Sequence, residues 1–153
     1  MLNRLLLFIA FTAAMFSVAA AQERQWSLDK GDDNAYLVFG VPDSDDVGFS
    51  MWCKVRSGEI EIFLPETDPA LAPDQTISFK MAAGDATGEF KGKTSANEMS
   101  DTISLEAKLP DNDPIFAGLL EADRFRVKVG AEEIVIPLFD ADIAGLLALC
   151  AKP

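Results

Sequence analysis

Apolar and polar residues alternate with a period of two along most of this chain, and the clearest stretch is Val47 to Pro65, VGFSMWCKVRSGEIEIFLP. Two strands about a Ser57-Gly58 turn would place Val55 opposite Ile60, Cys53 opposite Ile62 and Met51 opposite Leu64 on one face. The other face would pair Lys54 with Glu61 and Trp52 with Phe63. The hairpin is therefore expected to bury a cysteine on one side and to carry two large aromatics on the other.

The same reading extends in both directions. Arg24 to Asp29 alternates, with Trp26 and Leu28 on one side. Ala35 to Val41 is apolar on both faces and predicts a strand covered on two sides. Glu66 to Pro73 is a proline-punctuated loop. Ile77, Phe79 and Met81 alternate with polar neighbours, and a Gly84-Asp85 turn would return the chain so that Phe90 faces Phe79. Gly88 and Gly92 in that return strand mark a bulge or a close backbone approach. Thr94 to Asp101 reads as polar loop, and Ile103, Leu105, Ala107 and Leu109 as a further strand. A hairpin about Gly130-Ala131 sets Phe125 against Ile136 and Val127 against Ile134, with Lys128 against Glu133 on the outer side.

Two segments change period. Asp113-Pro114 is a cap followed by a first-turn proline, and predicts a short helix near 114–122. Ile143, Leu146, Leu147 and Cys150 recur at helical spacing after Asp140, and predict a C-terminal helix near 140–150. The fold class is therefore all-β, an antiparallel β-sandwich or flattened barrel of about eight or nine strands with two short helices.

The N-terminus does not belong to that pattern. Asn3-Arg4, an apolar run from Leu5 to Phe16 and a small-residue end with Ala19 and Ala21 form a signal peptide over residues 1–21. Residues 22–153 are then a single β-sandwich-like domain, periplasmic or secreted, with no stable membrane association after cleavage. Export makes a disulfide between Cys53 and Cys150, the two cysteines of the chain, the expected state. Both fall on inward faces by independent periodicities. Closing a loop of roughly 100 residues restricts the unfolded chain by about 4–5 kcal/mol in the entropy model.

The net charge of −12 argues against nucleic acid as a partner. The acids cluster between the apolar runs, where Asp bonds its own backbone in turns. Against that background Arg124, Arg126 and Lys128 form a cationic stripe on one strand face, read either as a solvated face paired with Glu133 or as a site for an anionic partner.

Histidine is absent, which removes Ser-His-acid and Cys-His catalysis and the usual zinc sites. Carboxylates remain, but among 25 acids no pair is singled out for glycoside hydrolysis. Asp43-Ser44-Asp45-Asp46 opens like a calcium loop, yet Val47 and Lys54 stand where ligands belong, so it is not an EF-hand. The segment reads as an Asx turn leading into a strand, with a looser calcium site among the loop acids as the alternative; no cofactor or defined metal site is expected, and no catalytic residue is assigned. Trp52 and Phe63, beside Lys54 and Glu61, have two readings. A second layer covers them, from the first strand with Trp26 or the helix at Ile115 to Leu120, or they form an exposed binding face.

The landmarks form a recognisable layout: a first strand with tryptophan, the turn Phe39 to Asp46 (FGVPDSDD), a strand ending in Cys53 and a final helix ending in Cys150. This layout resembles small uncharacterised exported proteins of Gram-negative bacteria. More loosely, it resembles TagO-like accessory proteins of type VI secretion. The resemblance implies a periplasmic location and carries over no catalytic residue. The expected function is a non-catalytic binding or accessory module of the periplasm with a protein or cell-envelope partner. The alternative is a small carboxylate-dependent hydrolase, which a deep acidic cleft would favour.

Overall fold

The computed structural model describes residues 23–98 and 100–153. The expected signal peptide lies outside the described residues. Among the described residues nine antiparallel strands form one sheet: β1 (Gln25–Lys30), β2 (Asn34–Gly40), β3 (Val47–Lys54), β4 (Glu59–Leu64), β5 (Thr76–Ala83), β6 (Ala86–Asn97), β7 (Thr102–Pro110), β8 (Arg124–Val129) and β9 (Glu132–Pro137). Their order across the sheet is β1-β2-β3-β4-β7-β6-β5-β8-β9. The sheet curls into a half-barrel, so the all-β architecture is the barrel-like one of the two expected.

One apolar face and one polar face per strand explain the curl. Inward side chains from most strands form a single core that includes Leu37, Phe49, Met51, Ile60, Ile62, Leu105, Phe79 and Phe125, and the sheet closes around it. Two helices lie against the inner side. Helix α1 (Pro114–Glu121) packs on β5 and β6, and α2 (Ile143–Cys150) packs on β2 and β3 beside α1. Asp113 caps α1 by accepting from the Ile115 amide, as its sequence predicts. Helix α2 starts later than expected, because Asp142 is its cap and accepts from the Gly145 amide at 2.8 Å. Asp140, at φ 60°, belongs to the preceding turn.

The half-barrel has a seam where β1 and β9 approach without pairing as strands. The Trp26 indole Nε1 crosses it and donates to the Pro137 carbonyl at 2.7 Å. Behind that bond Trp26, Phe49 and Phe125 form an aromatic chain, with Phe49 and Phe125 edge-on at 5.0 Å. Residues 65–75 carry the chain from β4 across to β5. That crossing is tied down at Thr67, whose hydroxyl donates to the Ile103 carbonyl, at Thr94, whose hydroxyl donates to the Ala72 carbonyl, and at Asp68. The Asp68 carboxylate accepts from the amides of Ala131 and Ala70, each at 2.8 Å, which holds it below the ordinary carboxylate range.

The Gly84-Asp85 and Gly130-Ala131 hairpins have the expected registers, including Phe79 opposite Phe90, Phe125 opposite Ile136 and Lys128 opposite Glu133. Gly84 and Gly130 sit at φ 56° and 61°, the conformation a two-residue hairpin turn demands. Two expectations are corrected. Strand β6 continues to Asn97 through the segment read as loop from Thr94, because Thr94 turns inward and serves the crossing chain. Strand β2 is covered on one face only, and Tyr36 is exposed on the other.

Candidate functional site

The central hairpin buries Met51, Cys53, Ile60, Ile62 and Leu64 and turns Trp52, Lys54, Glu61 and Phe63 outward, as the alternation requires. The direct pairs differ from those expected. Ser50 stands opposite Phe63, Met51 opposite Ile62 and Trp52 opposite Glu61. The register is thus displaced by two residues, a shift that leaves every side chain on its own face.

The reason for the shift is in the loop, residues 55–58. Three of its four amides serve other parts of the molecule: Val55 donates to the Asp33 carbonyl, Arg56 to Leu149 and Gly58 to Cys150. The last two bonds satisfy carbonyls at the end of α2 that have no partner inside the helix. The Cys53–Cys150 disulfide lies beside them, with a Cα separation of 5.8 Å across 97 positions of sequence. The bridge ties the terminal helix to the central hairpin.

On the outer face, cross-strand neighbours form a row from Asp29 through Tyr36, Trp52 and Glu61 to Lys108. Tyr36 and Trp52 stack with ring centroids 5.8 Å apart and planes 20° apart. Glu61 finds its cation in Lys108, at 2.9 Å, where Lys54 was expected. The hydrogen bond to Glu61, then its charge and that of Glu59, raise the Lys108 ammonium above its ordinary range. Phe63 lies in the next row, between Ser50 and Glu106. Trp52 and Phe63 are half-buried and Tyr36 is 39% exposed.

The second layer envisaged over these rings is absent from the described residues. Trp26 is in the core on the opposite face, and α1 packs on the inner side of β5 and β6. Tyr36 was missed because its strand was read as buried on both sides. Its place could have been found by continuing the Trp52 row into the neighbouring strand.

The stripe Arg124, Arg126 and Lys128 does lie on the outer face of β8, exposed at all three positions. Lys128 stands opposite Glu133, but the ion pair of Glu133 is with Arg126, at 3.9 Å. A shallow depression of about 400 Å³ opens over Ala82 between Lys80, Thr87, Arg126 and Lys128.

A second, larger depression of about 760 Å³ lies beside Phe63 and carries Asp45, Asp46, Glu66, Glu98 and Glu106. Asp46 is engaged by Arg24 at 2.6 Å. No group of three or more acidic or cysteine side chains converges for a metal ion among the described residues, and the Asp43–Asp46 segment is a turn held by Ser44. No helix among the described residues is long and apolar enough to cross a membrane. Comparison with protein-family models, curated proteins and solved structures finds no match to the chain.

Proposed function

We propose that the chain is an exported, non-catalytic binding or accessory module of the periplasm, whose outer sheet face receives a protein or other cell-envelope partner. The observation that carries this reading is the Tyr36–Trp52 stack with Phe63 beside it, set on a strand face over which no further layer is laid among the described residues. Large aromatic surface left at the face of a β-sheet is a recognised mark of a docking site. The buried disulfide is in keeping with an oxidising compartment.

The test replaces Trp52 and Phe63 together with serine. Because both rings are half-buried, each step should cost about 1–2 kcal/mol, less than the 3–5 kcal/mol of a core aromatic, and the cooperative thermal transition should persist. Parent and variant are then used to capture partners from periplasm, with mass spectrometry as the readout. A partner held by the parent and lost by the folded variant supports the reading. Identical captures by both proteins end it.

The hydrolase alternative rests on the acidic depression beside Phe63. It requires two carboxylates with separated roles, one protonated and one ionised. Glycan cleavage by the parent that disappears in Glu106→Gln would favour it.

A further inference from the structure

The chain is strongly acidic, yet its cations are not evenly spread. Lys80, Lys91, Lys93, Arg124, Arg126 and Lys128 all point outward from three adjacent strands, β6, β5 and β8. Within that field Lys80 stands directly opposite Lys128. Like charges directly opposite on neighbouring strands are destabilising, because their Cβ atoms lie about 4.5–5.5 Å apart. Two residues along, on the same face, Arg126 stands opposite Ala82, and Ala82 stands opposite Thr87. Ala82 lacks a long side chain, so the three cations and the Thr87 hydroxyl surround a hollow of about 400 Å³. Two acids border it. Glu89 reaches Lys80 and Glu133 reaches Arg126, each only at 3.9 Å, beyond hydrogen-bond distance. The guanidinium and the ammonium groups therefore keep donors available to a ligand.

From this arrangement we propose that the hollow over Ala82 binds a phosphate-bearing ligand, held by Arg126, Lys80 and Lys128 with Thr87 as a neutral donor. A dianionic phosphoryl group matches the chemistry better than a single carboxylate. It offers more acceptor oxygens to a planar guanidinium and two ammonium groups, and its second charge offsets the Lys80–Lys128 opposition. The hollow lies on the β5–β8 side of the sheet and involves none of Tyr36, Trp52 or Phe63, so it stands independently of the aromatic face.

The experiment titrates the folded, disulfide-bonded protein with inorganic phosphate at constant ionic strength and follows backbone amides by NMR. Saturable shifts confined to residues 80–89 and 126–133 are expected, with thermal stabilisation of the parent by phosphate. Arg126→Gln should weaken the response by about tenfold or more. Lys128→Gln should lose the phosphate stabilisation while its own melting temperature without phosphate is equal to or above that of the parent, since the like-charge opposition is gone. A parallel arm uses vesicles of phosphatidic acid, a phosphomonoester able to carry two charges, in phosphatidylcholine. Binding to vesicles together with a response to free phosphate identifies a lipid headgroup as a source, and a response to free phosphate alone identifies a soluble ligand. Shifts that follow ionic strength without saturating, or that persist unchanged in Arg126→Gln, overturn the proposal.

Discussion

The two sides of the sheet solve the same problem differently. Strands β1 to β4 follow one another in space as in sequence, put aromatics on the outer face and are stapled to α2 by the disulfide. Strands β5, β6, β8 and β9 are joined pairwise by two-residue turns and put cations on the outer face. They are tied to the crossing segment by Asp68, whose carboxylate bonds the turn between β8 and β9. The first side is fixed by partners distant in sequence, the second by the local chemistry of its turns. The difference teaches where information about register resides.

The largest test asks whether the sides are one cooperative unit. Phe49 belongs to the first and Phe125 to the second, both fully buried and in edge contact. Phe49→Ala and Phe125→Ala should each cost about 3–5 kcal/mol, a large share of the roughly 5–15 kcal/mol available to a domain. Urea denaturation should keep a single transition. Two separate transitions in either variant would show the sides to be independent.

Next in size is the staple. Replacing Cys53 and Cys150 together with alanine should cost about 2–5 kcal/mol. Native-state hydrogen exchange should then show loss of protection first at Arg56 and Gly58, the amides bonded to the end of α2. Earlier loss in the β5–β6 hairpin would contradict the division of the sheet into two sides.

A smaller effect sits at the seam. Trp26→Phe keeps a ring in the core but removes the indole donor to Pro137, and should cost about 1 kcal/mol, measured by the urea midpoint. The smallest concerns Asp68. Its folded pKa is lowered by the amides of Ala131 and Ala70, so its contribution is present above the unfolded value and is lost as pH falls through the folded one. The stability gap between parent and Asp68→Asn should therefore be steady at neutral pH. It should narrow as pH drops below about 3.9, and a gap that widens on acidification would contradict the assignment.

The same comparison explains what could be read from the residues. Glycine at Gly84 and Gly130 announces a two-residue turn, and such a turn sets its own register, so the pairing of both hairpins is legible in the sequence although the full length of β6 is not. At the central hairpin the alternation fixes which face each residue occupies, but a two-residue displacement preserves every face. Only the loop decides, and its amides answer to Asp33, Leu149 and Cys150. Tyr36 escaped for a related reason: an apolar run does not say which of its faces has a neighbour. Likewise Lys80 joins the stripe of β8 only through the pairing of β5 with β8, strands more than 40 positions apart.

One arrangement lends the molecule a pair of optical reporters. Its two indoles stand on opposite surfaces of one sheet, Trp26 in the apolar interior at the seam and Trp52 outside against Tyr36, the sole tyrosine of the chain. The inner indole should emit at shorter wavelength and respond to unfolding or to opening of the seam. The outer one should emit at longer wavelength, receive excitation energy from the phenol stacked on it, and respond to whatever settles on the outer surface. Fluorescence can thus separate a docking event from a conformational one without any label.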